Sequence, residues 1–237
     1  MRAYTVLLFD ADNTLFDFSR GESLAFRETA EAAGLPYSEE TGLLYSRINA
    51  GLWKRFERGG ITVDFLKTER FRLLLLSLGE KEGDALDAKA AELRDIYTDA
   101  LAEKAVLIDG AEELCRELAP SYGMYIVTNG ISRIQRRRFA KSGLAPYFRG
   151  MFVSEEIGAR KPEKRYFDAV FTAIGNPPKE GVLMIGDSLT SDADGAIAYG
   201  LDFCRFNPEG LSDEGRAIPY TVKKLSEVKD ILSGGRS

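Results

Sequence analysis

Hydrophobic and polar positions follow two regimes along the chain. Short unbroken apolar runs, Val6-Leu7-Leu8-Phe9, Met124-Tyr125-Ile126-Val127 and Val182-Leu183-Met184-Ile185, each stop at a polar or acidic turn. Runs of this length read as strands buried on both faces of a parallel sheet. Met151-Phe152-Val153 and Phe203-Cys204-Arg205-Phe206 are weaker candidates of the same kind. Between them the pattern predicts helices over 111–118, 132–141, 163–174 and 192–199. Strands alternating with helices argue for an α/β architecture, a parallel sheet flanked by helices.

The stretch from Phe16 to Lys104 follows a different pattern, with helical periodicity and no convincing strand. Ser19-Arg20-Gly21-Glu22 fits a capping box that opens a helix. Leu44, Ile48, Leu52 and Phe56 recur every four residues. Leu66, Phe71, Leu73 and Leu74 mark a second apolar face, opened by Thr62 as N-cap, and Leu86, Ala90, Leu93, Tyr97 and Leu101 a third. The expectation is an all-helical domain, residues 16–104, inserted into an α/β domain built from residues 1–15 and 105–237. Ligands are expected between two such layers. Residues 233–237 read as a frayed tail.

Composition narrows the chemistry. With 44% hydrophobic and 29% charged residues in 237, the chain is expected to be globular. Its net charge of −5 gives no general attraction to nucleic acid or to anionic membrane. Arg133, Arg136, Arg137 and Lys141 therefore read as an exposed face of a helix. The sequence contains no histidine, which removes imidazole catalysis, Ser-His-Asp triads and His-ligated zinc. Cys115 and Cys204 lack paired spacing and read as buried apolar residues. Asp10 interrupts the first apolar run before a signal peptide could form, and the greasy stretch near 71–78 contains Arg72, so a cytoplasmic address is expected.

In an open parallel sheet, ligands gather beyond the carboxyl ends of the strands. Those ends carry Asp10-Ala11-Asp12-Asn13-Thr14, Thr128-Asn129 and Gly186-Asp187-Ser188, with Asp192 close behind and Lys161-Pro162 after the third strand. If they converge, Asp10, Asp12, Asp187 and Asp192 crowd one pocket. Two carboxylates 4 Å apart repel by roughly 4 kcal/mol at an effective dielectric of 20, so the cluster needs compensating cations. Hard oxygen ligands without histidine select Mg²⁺, and Lys161 supplies a second positive charge. Such a pocket suits a phosphate dianion, with a carboxylate near enough to attack phosphorus.

Four motifs in order, Phe9-Asp10-Ala11-Asp12-Asn13-Thr14, Val127-Thr128-Asn129-Gly130, Lys161-Pro162 and Gly186-Asp187-Ser188-Leu189-Thr190-Ser191-Asp192, resemble those of the haloacid dehalogenase-like hydrolases. The resemblance runs the length of the chain. It implies a Rossmann-like core and makes the helical insert similar to the family's type-one cap. Ile48-Asn49-Ala50-Gly51-Leu52-Trp53, Ile108-Asp109-Gly110 and Ile126-Val127-Thr128-Asn129-Gly130 look like its noncanonical pyrimidine nucleotidase branch.

The resemblance implies that Asp10 attacks phosphorus and becomes an aspartyl-phosphate. Asp12 would protonate the leaving oxygen and then activate water. Because phosphotransfer members carry an acid at this position and carbon–halogen-cleaving members do not, dehalogenation is not expected. Thr128 and the Asn129 amide would hold phosphoryl oxygens, and Lys161 would neutralise nucleophile and phosphate. Mg²⁺ would bind the Asp10 carboxylate, the Asp12 carbonyl and Asp187, supported by Asp192. Phe16, Asn49 and Trp53 are candidates for gripping a pyrimidine. The expected substrate is a small phosphorylated metabolite, a nucleoside 5′-monophosphate, handled by a monomer or small homo-oligomer. The same motifs also suit a sugar-phosphate or phosphoglycolate phosphatase or a phosphoglucomutase, and a phosphoryl-binding regulatory module is the non-enzymatic alternative.

Overall fold

The computed structural model describes residues 4–234. Six strands, β1 (Val6–Phe9), β2 (Gly123–Thr128), β3 (Gly150–Val153), β4 (Val182–Gly186), β5 (Asp202–Phe206) and β6 (Tyr220–Val222), form one sheet in the order β3-β2-β1-β4-β5-β6. All pairings are parallel. β6 gives no signal in the sequence, since its three residues form no apolar run and only Val222 is buried.

The described residues fall into two compact units, one running to Phe18 and resuming at Val106, the other Ser19–Ala105. The second unit holds α1 (Phe18–Ala32, which starts one residue before it), α2 (Glu39–Glu57), α3 (Val63–Ser77) and α4 (Asp84–Ala102). The sheet unit holds α5 (Ala111–Leu118), α6 (Ser132–Lys141), α7 (Ser154–Ile157), α8 (Lys164–Ala173), α9 (Asp194–Tyr199) and α10 (Val228–Ser233). Ser233 of the expected tail thus closes a helix, and residues 235–237 lie outside the described residues.

The first sheet strand sits at the centre. The chain moves outward through β2 to β3, then returns to the other side of β1 as β4, so the order reverses at β1. Phe9 stands opposite both Ile126 and Ile185, which levels the polar ends of β1, β2 and β4. Leu8, Met184 and Phe203 of the strands pack with Tyr166, Phe167 and Val170 of α8 and with Ala196 and Tyr199 of α9. Each Leu, Met, Val or Phe side chain among them, fully buried, stabilises the fold by roughly 1.5–3 kcal/mol. The expected helix over 192–199 begins later, at Asp194, after a single wide turn over Leu189–Ala193. The turn points Asp192 inward, where its carboxylate accepts from the Ser188 N–H at 3.2 Å.

In the helical unit, Ser38 and Thr62 cap α2 and α3 by accepting from the N–H three residues on. The capping box predicted at Ser19–Glu22 does not form, because α1 already begins at Phe18. Glu22 instead turns inward and accepts from Ser46 at 2.7 Å and Asn49 at 2.6 Å. Arg70 reaches the other end of the Asn49 amide at 3.3 Å. Around this network stack Phe26, Tyr45 and Phe71, with ring centroids 4.3 and 5.3 Å apart. Leu52, Phe56 and Leu66 form a second apolar cluster.

Candidate active site

The turn after β1 positions the first two acids. Asp10 continues the strand, its N–H donating to Ile185 at 2.8 Å. Asn13 then takes a left-handed conformation, φ 58°, which Asn tolerates, and its N–H closes on Phe16 at 2.7 Å. Asp187 follows β4 and Asp192 lies in the wide turn beyond it. Carboxylate oxygens of Asp10, Asp187 and Asp192 all lie within 4.8 Å of one another. Gly186 permits this approach, since a Cβ there would sit 2.3 Å from an Asp192 oxygen.

Lys161 enters the cluster from the loop after α7, preceding a cis peptide to Pro162. Its ammonium lies 2.5 Å from Asp10 Oδ1 and 2.7 Å from Asp192 Oδ1, and donates to the Val127 carbonyl at 2.8 Å. Asp10 and Val127 take two of its hydrogen-bond donors, whereas Asp192 Oδ1 is an ion-pair neighbour that accepts no hydrogen bond. Burial disfavours the lysine's charge, but Asp10 and Asp192 outweigh it and hold the ammonium above its ordinary value. Asn129 fixes the loop, its amide pairing with the N–H and carbonyl of Lys161 at 2.8 and 2.9 Å. Thr128 Oγ1 accepts from Gly130 N–H at 3.0 Å, which leaves its own proton to donate.

Three acids and one lysine leave the cluster short of positive charge. Burial, together with the neighbouring carboxylates, pushes Asp10 well above the usual carboxylate range despite Lys161. Burial and Asp192 likewise push Asp187 up to about 7. A buried, all-oxygen, electron-rich donor set fits a hard divalent cation such as Mg²⁺. Thr14, fully buried, leans its hydroxyl on Asp187 at 3.4 Å.

The fourth acid of the expected pocket has partners of its own. Both Asp12 oxygens are taken from the side by α6, Oδ2 by Gln135 Nε2 and Oδ1 by Arg138 Nη1, each at 2.5 Å. The mutually close set within 4.8 Å is Asp10, Asp187 and Asp192, while the Asp12 carboxylate, near enough to Asp187 to raise its proton affinity, is held from the side by α6. Neither partner was singled out from the sequence. A signal existed, since Ile131, Ile134, Gln135 and Arg138 share the buried stripe of α6 while Arg133, Arg136, Arg137 and Lys141 face outward.

The pyrimidine-gripping candidates fare unequally. Phe16 is fully buried with the Arg138 guanidinium 4.5 Å over its ring, so its face is already covered. Asn49 is buried with both amide ends engaged by Glu22 and Arg70, leaving no free group for a base. Trp53 keeps exposed surface and packs edge-on against Phe56, ring centroids 5.5 Å apart.

A parallel sheet reversing at β1, with an acidic cluster and a lysine at its carboxyl end, defines a hydrolase core. The chain belongs to the haloacid dehalogenase-like hydrolases, whose family description matches residues 4–200. It is 41% identical to YfnB of Bacillus subtilis over 235 residues, covering 98% of this chain and 97% of YfnB. A crystal structure of YfnB bound to magnesium superposes with a TM-score of 0.89 at 39% identity, covering 98% of this chain and 99% of the other. It is 35% identical to the pyrimidine 5′-nucleotidase PynA of Streptococcus pneumoniae (97% of this chain, 95% of PynA). With the pyrimidine 5′-nucleotidase YjjG of Escherichia coli it shares 32% (95% of this chain, 96% of YjjG). No helix among the described residues is long and apolar enough to cross a membrane.

Proposed function

We propose that this hydrolase is a Mg²⁺-dependent phosphomonoesterase that works through an aspartyl-phosphate on Asp10, with pyrimidine nucleoside 5′-monophosphates as substrates. The observation that carries the reading is the convergence of Asp10, Asp187 and Asp192 around Lys161, with Asp12 held separately beside them. The sheet unit is the catalytic core in this reading, and the helical unit is the cap that selects the ester.

Asp10, Asp187 and Asp192 would hold Mg²⁺ together with the Asp12 carbonyl, and the ion would neutralise charge on the phosphoryl oxygens. Lys161 binds Asp10 through Oδ1, which leaves Oδ2 to form the bond to phosphorus as the ester P–O bond breaks. Asp12 gives a proton to the departing alkoxide. It then takes a proton from water, which attacks the same phosphorus, cleaves the Asp10–phosphorus bond and releases inorganic phosphate. Thr128 Oγ1 and the Asn129 N–H donate to phosphoryl oxygens. The ester class is supported by likeness to PynA and YjjG, and Trp53 is the candidate for packing against the base.

Phosphate release from a panel of pyrimidine and purine nucleotides, sugar phosphates and phosphoglycolate, compared by kcat/KM with and without Mg²⁺, tests this reading. Pyrimidine nucleotides are expected to lead, and Asp10→Asn to abolish turnover while leaving the circular dichroism spectrum unchanged. Retained hydrolysis in that variant, or no hydrolysis of any monoester by the parent, overturns the reading.

A further inference from the structure

Arg138 is a guanidinium with no exposed surface in its side chain, projecting from α6. Burying such an ion costs several kcal/mol unless it is closely matched. Its match is Asp12 Oδ1, 2.5 Å from Nη1, with the rings of Phe16 and Phe18 at 4.5 and 6.0 Å from the guanidinium carbon. One turn earlier on the same face, buried Gln135 donates to the other Asp12 oxygen at 2.5 Å. Residues three apart on a helix share a face, so one rigid element grips both oxygens. The loop after β2 makes room for the grip, because a Cβ at Gly130 would lie 2.2 Å from Gln135 Nε2. The Asp12 side chain nevertheless stays 25% exposed. A carboxylate has about four lone-pair sites, and two donors leave the others open.

We infer that Arg138 and Gln135 are positioning residues that fix the Asp12 carboxyl for proton transfer to the leaving oxygen. The inference rests on the role given to Asp12 above. A flexible aspartate in the turn after β1 would sample several rotamers and lose most of the advantage of a held proton donor. The pair removes that freedom from the side while leaving the exposed edge of the carboxyl to the substrate. Asp12 gives its proton to the oxygen as the P–O bond breaks, and the electron pair of that bond stays with the departing alcohol.

The test is steady-state kinetics of the whole chain with Mg²⁺ on two monoesters. A nucleoside 5′-monophosphate leaves as a basic alkoxide that must be protonated, whereas p-nitrophenyl phosphate leaves as a stable phenolate. For Arg138→Met, kcat/KM on the nucleotide is expected to fall about 100-fold, within the range of general acid catalysis, and on the aryl ester by less than a tenth of that factor. Arg138→Lys is expected to recover part of the difference. In an Asp12→Asn background, Arg138→Met is expected to add little further loss, since residues acting as one unit are not additive. Equal losses on both esters, or fully additive losses, would mean that the pair only latches α6 to the turn, and would overturn the inference. If Arg138→Met does not fold, Gln135→Leu, which keeps the ion pair, carries the same comparison with a smaller selective loss. A parent protein inactive on both esters removes the phosphatase reading and this inference together; a parent active on both with unselective variants removes the inference alone.

Discussion

At the scale of single residues, the acids of the cluster differ in what surrounds them, and that decides their proton affinity. Asp187 is raised to about 7 from an ordinary 3.8 by burial and by Asp192, and Asp10 is raised by burial despite Lys161. A proton held by Asp187 competes with a cation. Mg²⁺ affinity is therefore expected to weaken about tenfold per pH unit below 7 for each proton displaced, with proton release measurable by titration calorimetry in buffers of different ionisation enthalpy. Affinity that is flat from pH 5.5 to 8 would contradict it. The same shift bears on stability. The unfolded chain ionises Asp187 first, so the metal-free protein loses stability as pH rises from about 4 to 7. Asp187→Asn should flatten that decline in thermal melts recorded without metal, and any rise in Tm that the parent shows on adding Mg²⁺ should be lost in it.

At the scale of elements, the buried polar network tying α1, α2 and α3 together is the weak point of the helical unit. Glu22 is raised by burial, an effect that Ser46, Asn49 and Arg70 partly offset. Arg70→Met removes the nearby cation and the hydrogen bond by which Arg70 holds the Asn49 amide that donates to Glu22. The expected loss is about 2 kcal/mol, the scale of a buried hydrogen bond to a charged group, or about 4–8 °C in Tm for a chain of this size. The loss should be larger at pH 8 than at pH 5, because at the lower pH Glu22 can take a proton and shed its charge. Equal loss at both values would mean that Arg70 contributes packing alone.

How much of these elements the sequence makes legible follows from how each buries its apolar side. β1, β2 and β4 are covered on both faces, so their apolar runs stand out and the polar residues that stop them mark the site. Asp10, Thr128 and Asp187 stand at those ends, whereas Lys161 and Asp192 lie in the loops beyond them and are picked out by the order of the four motifs. Gln135 and Arg138 were not readable, because α6 carries so many cations that its inward pair is lost unless each position is assigned to a face. Glu22 misled for a related cause, since Ser-x-x-Glu spacing says nothing of whether the carboxylate faces the helix end or the interior. Asn49 and Phe16 carry side chains that could serve a base, but Glu22 and Arg70 engage the one and Arg138 covers the other.

At the scale of the whole molecule, the helical unit leaves and rejoins the sheet unit at neighbouring points. Asp17 N–H donates to the Val106 carbonyl at 3.0 Å, and Ile108 N–H to Leu15 at 2.9 Å, so the two chain segments are hydrogen-bonded on the sheet side of the insertion. The apolar cluster around β1, β4 and α8 draws no member from Ser19–Ala105. Joining Phe18 to Val106 through a short Gly-Ser linker closes a gap that the fold already holds shut, at a loop entropy that grows only slowly with linker length. A chain shortened in this way is expected to melt cooperatively, to melt at a higher temperature with Mg²⁺ than without it, and to hydrolyse p-nitrophenyl phosphate. Its kcat/KM values for different nucleotides and sugar phosphates should converge, because the helices that would choose among esters are gone. A shortened chain that does not fold would show that the sheet unit depends on the insert for its stability. One that folds and keeps the parent's ranking of esters would place selectivity in the strand-end loops.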